Sequence, residues 1–274
     1  MSFYKRLSNK VQSIRWNLKN RLHKSILQRL DLELLLTTGV RIKVKSWADW
    51  IIYTAIFADN EYDTAIHAAI AKKPKGSPLN VLDVGANVGF FALRVAHLMA
   101  NAGSEAGNFR ITCIEGCPTT YAELVQRLAA SPALRDRYQT VHGLAGKLEG
   151  TARIDADAYH AMTSLFAHNS AKGTEVPFKN LNTLLEPCDS IDLFKCDIEG
   201  SEWDLMQNYG DLLRRTRVAV FEFHHDKCSR NACQERLPSL GFDQARTLQE
   251  DEFTSLELFE RRNSTGEDRT IPPP

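Results

Sequence analysis

An open, mostly parallel α/β sheet with helices on both faces is the fold this sequence predicts. Two observations predict it. From residue 79 onward, short apolar runs alternate with longer amphipathic segments, the pattern of repeated βα units. The first unit is Val81-Leu82-Asp83-Val84-Gly85-Ala86-Asn87-Val88-Gly89-Phe90-Phe91. It passes from a buried-strand run through a glycine loop straight into a helix pattern, a turn that can hold a nucleotide-like ligand against bare backbone.

The elements follow in order. In residues 1–30, Leu7, Val11, Ile14, Leu18, Leu22 and Ile26 recur at helical spacing, so an amphipathic helical leader is expected. Residues 32–44 read as a hairpin, and 47–70 as one or two helices broken at 57–62. A strand at 79–84 and a helix at 91–99 form the first βα unit. The second is a strand at 109–114 ending on Glu115, then a helix at 119–129 opened by Pro118. A strand at 140–144 follows. Residues 151–181 interrupt the rhythm with short alternating pieces, which predict an inserted β-hairpin at the edge of the sheet. The rhythm resumes with a strand at 191–196, a helix near 203–213 and a strand at 218–223. A last helix ends near residue 240, and 254–259 alternates like a closing antiparallel strand. Residues 263–274 are polar, end in three prolines and are expected to be a disordered tail. The expected organisation is therefore a leader (1–30), one domain (31–262, with its ligand-binding core from about residue 79) and the tail (263–274).

Composition narrows the class. The chain of 274 residues is formally neutral, long enough for one substantial core. Residues 1–30 carry eight Lys/Arg and no acid, so the rest carries a balance of −8. An acidic body argues against nucleic-acid binding. The basic leader is expected either to pack on its own domain or to touch an anionic membrane surface or a partner. Six cysteines include no Cys-x-x-Cys pair and read as free thiols of a reducing compartment. No run of 18 apolar residues exists, and no signal-peptide core is seen. A cytoplasmic enzyme is the expectation, peripheral to the inner membrane surface if the leader binds there.

Ligands of such sheets bind beyond the carboxyl ends of the strands, so those ends name the candidate residues. The first gives Asp83, Gly85, Asn87 and Gly89. Its Gly-x-x-x-Gly spacing departs from the dinucleotide fingerprint, and an acid before the loop suits a positively charged cofactor such as S-adenosylmethionine. The second gives Glu115, placed to accept from ribose hydroxyls or, alternatively, to cap the next helix. The third strand leads to Leu144-Ala145-Gly146, where Ala145 is expected beside an adenine. The fourth end, Lys195-Cys196-Asp197-Ile198-Glu199-Gly200-Ser201-Glu202, offers Asp197 and Glu199 to a pocket mouth, with helix capping as the alternative. The fifth, Val220-Phe221-Glu222-Phe223-His224-His225, puts Glu222 and His224 on one strand face. Histidine suits a general base, since the residue type exchanges protons near neutral pH.

These blocks together resemble the FkbM-type family of S-adenosylmethionine-dependent methyltransferases, over about residues 55–260. The Lys-x-Asp-x-Glu-Gly-x-Glu block is the specific part. The resemblance implies a class I methyltransferase (Rossmann-like) fold with a seven-stranded sheet, and O-methylation of a sugar, glycan or lipid, or secondary metabolite. It departs from the family at Glu115-Gly116, where Glu-Pro is usual, and at Leu181-Asn182-Thr183, where Leu-Asp-Asp is usual. The expected chemistry is in-line methyl transfer to a small hydroxyl acceptor. Asp83, Gly85, Asn87, Gly89, Glu115, Ala145 and Asp197 are expected to hold the cofactor. His224, Asp197, Glu199 and Glu222 are expected to surround the acceptor, with His224 removing its proton. A variant in which Asp197, Glu222 and His224 hold Mg²⁺ is less favoured, and no metal ligand is assigned. The rivals are a non-catalytic cofactor-binding scaffold recruited by the leader and, more weakly, a nicotinamide dehydrogenase.

Overall fold

The computed structural model describes residues 31–103, 108–154, 173–185 and 190–261. The expected leader helix, the middle of the inserted hairpin, Cys188 and the tail lie outside the described residues. The hairpin expected at 32–44 is β1 (Leu32–Leu35) paired antiparallel with β2 (Arg41–Val44). Helix α1 (Trp47–Tyr53) begins at Ser46, whose Oγ accepts the Asp49 N–H at 3.0 Å, satisfying one of the free amides of a first turn. It runs into a π-helical turn (Thr54–Ala58), and α2 (Asp63–Lys72) follows the expected break.

The βα rhythm appears as β3 (Leu79–Val84), α3 (Phe90–Asn101), β4 (Phe109–Glu115), α4 (Pro118–Ala129) and β5 (Tyr138–His142). After the small hairpin β6 (Thr151–Ile154) and β7 (Thr174–Pro177) comes a helical turn, α5 (Leu181–Leu184). Then follow β8 (Ile191–Cys196), α6 (Glu202–Asn208), α7 (Gly210–Arg214), β9 (Thr216–His224), α8 (Arg230–Arg236), β10 (Gln244–Glu250) and β11 (Thr254–Glu260). One seven-stranded sheet has the order β10-β11-β9-β8-β3-β4-β5. Its first five strands in the chain are parallel, and β11 closes antiparallel between β9 and β10. The chain builds outward from β3 to β5, then returns to lay β8 on the other side of β3. A crevice therefore opens beyond the carboxyl ends of β3 and β8, where the strand order reverses.

Both faces are covered. One core joins α2, α3 and α4 through Ile66, Phe91, Leu93 and Leu124. The other joins α6, α7 and α8 through Leu205, Leu212 and Cys233. Residues of β3 alternate between them, Val81 toward the first, Leu82 and Val84 toward the second, as the strand period requires.

Four elements differ from expectation. The third strand sits two residues earlier than predicted, because Leu144 leaves the ladder to bridge Phe178 beside the hairpin. That hairpin is a separate two-stranded sheet rather than an edge of the main one. The helix at 203–213 is two helices, broken at Tyr209, whose buried hydroxyl donates to the Lys147 carbonyl at 2.8 Å. Strand β10 had no apolar alternation to betray it: along Gln-Ala-Arg-Thr-Leu-Gln-Glu only Leu248 is even half-buried. The described cysteines are all buried and free, with Cys228 and Cys233 sulfurs 3.5 Å apart.

Candidate active site

The glycine loop after β3 is fixed from two sides. The Gly85 and Ala86 N–H groups donate to the Ile114 carbonyl at 3.0 and 2.9 Å, and the Asp197 N–H donates to the Val84 carbonyl at 3.0 Å. Gly85 has φ +76°, and a Cβ there would lie 1.7 Å from the Asp197 carbonyl oxygen. Only glycine allows that approach. Gly89, at φ +92°, opens α3 where a Cβ would press on Leu124. Asn87 between them is left-handed (φ +49°) and turns its N–H onto Glu115 Oε2 at 2.9 Å.

A cleft of about 630 Å³ opens over this loop, lined by Gly85, Asn87, Glu115, Ala145, Asp197 and Glu199 among others. Glu115 is held by two amides: Asn87 N on one oxygen, and Cys117 N on the other at 2.8 Å. Burial nevertheless pushes its carboxyl up to about 7. Each carboxylate oxygen keeps a further lone pair, so holding the turn before α4 and a ribose contact are compatible. Gly116, the departure from Glu-Pro, leaves room for Leu144: a Cβ there would lie 2.6 Å from Leu144 Cδ2. Asn182 and Thr183, at the second departure, are exposed on α5 and do not line either cleft.

Gly89 lines no cleft and serves the packing of α3 instead of the expected cofactor contact, and Asp83 is displaced from its expected role. Its side chain is fully buried and lines no cleft; it faces Lys195, whose Nζ is 3.4 Å from Asp83 Oδ1. The β3 register explains this, because Asp83 pairs with Lys195 on β8 inside the sheet. Lys195 also donates to the Gly85 carbonyl at 2.7 Å and lies 3.6 Å from Asp197 Oδ2. Asp83, Asp197 and Glu222 around it hold the ammonium well above the usual lysine range, against the opposing effect of burial. A lysine inside the apolar run Ile-Asp-Leu-Phe-Lys-Cys was the available signal for a buried ion pair.

A second cleft, of about 910 Å³, adjoins the first and shares Asn87, Asp197 and Glu199 with it. Its polar wall adds Glu61, Tyr62, Lys195, Glu222 and His224, and its apolar wall includes Ile56, Phe90, Phe91 and Leu256. Glu222 and His224 share this cleft as the strand period predicts. Tyr62 donates to Glu222 Oε2 at 3.4 Å. Burial, then the Asp197 charge, pushes Glu222 well above the carboxylate range, and the same two causes push Glu61 up to about 7. Neither Glu61 nor Tyr62 carried a local signal; both arrive from the segment before β3.

His224 Nε2 lies 3.3 Å from Glu199 Oε2, and Lys227 donates to the same oxygen at 2.6 Å. His224 Nδ1 and Asp197 Oδ1 are buried and meet no hydrogen-bond partner among the described residues. Glu199 holds its position in a left-handed turn (φ +55°). Glu202 is fully buried and ties the turn before α6: its Oε1 accepts the N–H groups of Ile198 and Gly200 at 3.1 and 3.2 Å. Ser201, the alternative cap, makes no side-chain cap. Asp197, Glu199 and His224 bring ligand atoms within 4.8 Å of one another. The three residues close enough to share a cation therefore include Glu199 and not the expected Glu222.

The profile of the methyltransferase FkbM domain matches residues 83–261. No curated protein matches the sequence. Among solved structures, the FkbM methyltransferase from Methylobacillus flagellatus KT is similar at 15% identity and TM-score 0.46, over 79% of this chain and 61% of that one. A magnesium protoporphyrin IX methyltransferase from Synechocystis PCC 6803 with bound SAM aligns at 10% identity and TM-score 0.46, over 78% and 84%. A precorrin-6y C5,15-methyltransferase from Geobacter metallireducens GS-15 aligns at 14% and 0.39, over 72% and 88%. The sheet order and its antiparallel closing strand are those of the class I, Rossmann-like methyltransferase fold. No described helix is long and apolar enough to cross a membrane. With its profile match spanning most of the chain and its clefts meeting at the strand ends, the protein belongs to the methyltransferase FkbM domain family.

Proposed function

We propose that the protein uses S-adenosylmethionine to methylate a hydroxyl oxygen of a small molecule, of the sugar, glycan or lipid, or secondary-metabolite kind. The observation that carries this reading is the meeting of the two clefts at Asn87, Asp197 and Glu199. Asn87, Asp197 and Glu199 would stand between a cofactor in the first cleft and an acceptor in the second. Gly85 and Asn87 hold the methionine end against backbone, Glu115 takes the ribose hydroxyls, and Ala145 flanks the base. Asp83 acts at one remove, by fixing Lys195 and through it the loop.

When bound, the cofactor supplies an electrophilic methyl group. An acceptor oxygen held in the second cleft would take that methyl group, with the cofactor's sulfur as the leaving group. Positioning of the two reactants supplies most of the rate. His224, oriented by Glu199, takes the hydroxyl proton. The metal-free version is preferred because Lys227 already neutralises Glu199.

Two experiments test this. S-adenosylmethionine should raise the melting temperature and NAD should not; the reverse would sink the cofactor assignment. In metabolite extracts given methyl-labelled S-adenosylmethionine, label should enter small hydroxylated products. The transfer should survive EDTA and fall by about 10²–10⁴ in His224→Ala. Loss with EDTA and rescue by Mg²⁺ would replace the base by a metal. Cofactor binding without turnover would favour the scaffold.

A further inference from the structure

Glu61 and Tyr62 reach the acceptor cleft from the short segment between the π-helical turn and α2, outside the sheet. The Glu61 N–H donates to the Ala55 carbonyl at 3.2 Å, and Asn60 beside it is left-handed at φ +58°. A residue other than glycine keeps such a conformation only where its surroundings fix it. The side chain that grips this segment is Arg94, on α3. Its Nε donates to Asp63 Oδ1 at 2.7 Å and its Nη2 to Asp63 Oδ2, a two-pronged pair. The same Nη2 donates to Asn60 Oδ1, and the guanidinium lies 5.3 Å from the centre of the Phe57 ring. One side chain thus holds the segment on both sides of Glu61 and Tyr62.

Arg94 is buried (8% exposed) yet lines neither cleft. It stands one helical turn beyond Phe90 and Phe91, which do line the acceptor cleft, on the helix that Gly89 opens. The Tyr62 ring meets that of Phe91 edge-on at 5.1 Å, and its hydroxyl reaches Glu222. The outer wall of the acceptor cleft is therefore tied to the helix that starts at the cofactor loop. A fork of two parallel hydrogen bonds fixes direction as well as distance, which a lysine ammonium does not reproduce.

Resting on the methyltransferase reading above, we propose that Arg94 is a positioning residue for the transfer: through Asn60 and Asp63 it sets Glu61 and Tyr62 in the cleft wall they share with Glu222. It touches neither cofactor nor acceptor. The direction of the guanidinium, beyond its charge, carries the role. A pair that served stability alone would leave the surroundings of Glu61 unchanged in any variant that folds.

Glu61 itself reports the outcome. Burial, then the Asp197 charge, with Lys195 opposing and Asp59 adding, hold its carboxyl at about 7. The full-length protein, isotope-labelled at its glutamate carboxyl carbons and saturated with S-adenosylhomocysteine, is titrated by NMR. The signal lost in Glu61→Gln identifies the residue. The wild type should show a midpoint near 7. Arg94→Lys keeps the charge and loses the fork. Its midpoint should fall toward 4.5 as Glu61 turns to water, while affinity for S-adenosylhomocysteine changes by less than about twofold. Asn60→Gly keeps the left-handed turn and loses only the grip of Arg94 on it, so it should move the midpoint the same way by less; it decides the matter if Arg94→Lys does not fold. Label transfer in the extract assay should fall along with the midpoint. A wild-type midpoint near 4.5, an unmoved midpoint in a folded variant, a matching loss of cofactor affinity, or full transfer after the midpoint has moved overturns the proposal. If S-adenosylhomocysteine fails to bind the wild type, the methyltransferase reading falls, and the same titration on the cofactor-free protein still decides whether Arg94 sets Glu61.

Discussion

The two clefts that meet at Asn87, Asp197 and Glu199 are built from different materials. The cofactor cleft is made of backbone: left-handed turns at Gly85, Asn87 and Gly89, amides aimed at Glu115, and a Gly85–Asp197 approach too close for any Cβ. The acceptor cleft is made of side chains gathered from far apart, Glu61 and Tyr62 before the sheet and Glu222 and His224 on β9. Backbone construction gives a rigid, sequence-local site. Side-chain construction gives one assembled from distant parts of the chain. Lys195 belongs to both, since it grips the Gly85 carbonyl on one side and lines the acceptor cleft on the other.

That shared lysine is where the largest effect is expected. Lys195→Met should destabilise the protein by about 3–5 kcal/mol in denaturant unfolding, because it strands Asp83 without a counterion. A cost under about 1 kcal/mol would mean that the pair does not join the two clefts. Next come the glycines. Gly85→Ala forces a carbon onto the Asp197 carbonyl and should abolish cofactor binding by calorimetry. Gly89→Ala meets only the ends of Leu124 and Leu128 side chains, so its cost should stay near the left-handed penalty of about 1–2 kcal/mol. Equal losses at the two positions would erase the claim that the backbone approach at Gly85 defines the cofactor side.

On the acceptor side, Glu61→Gln should be stabilising, but only at alkaline pH. The Glu61 carboxyl is raised from 4.5 to about 7, so the folded state holds its proton longer than the unfolded chain does. Stability from this group therefore falls as pH rises from 4.5 to 7, and above 7 the charged form bears the full cost. Discounted for its partial exposure, the gain on substitution should be about 1–2 kcal/mol at alkaline pH and vanish below 4.5. A gain of the same size at both ends would assign Glu61 a packing role instead. The smallest effect concerns Glu115, also held up at about 7. Ribose hydroxyls donate to its ionised form, so cofactor affinity should rise several-fold as pH climbs through 7, and that slope should disappear in Glu115→Gln.

The same contrast governs what could be read from the sequence. The cofactor side was legible because its instructions are short-range: an acid-ended strand, two glycines four residues apart and a helix, all within residues 81–91. What misled there was Asp83, whose place in the chain resembles a ligand's while its register buries it against Lys195. On the acceptor side, Glu222 and His224 were legible through strand alternation and Asp197 and Glu199 through their motif. Glu61 and Tyr62 were not, because the fold brings Tyr62 to Glu222 across 160 residues of chain. Strand β10 was silent for a related reason: an edge strand buried on neither face has no period to display.

The central claim is that the glycine loop and Glu115 form the seat of S-adenosylmethionine. Titrating that cofactor into the wild type and Glu115→Gln at slightly alkaline pH tests it most directly. One saturable site in the wild type, weakened about tenfold or more in the variant, is the predicted result. Absence of binding, or equal affinity in the two proteins, would contradict it.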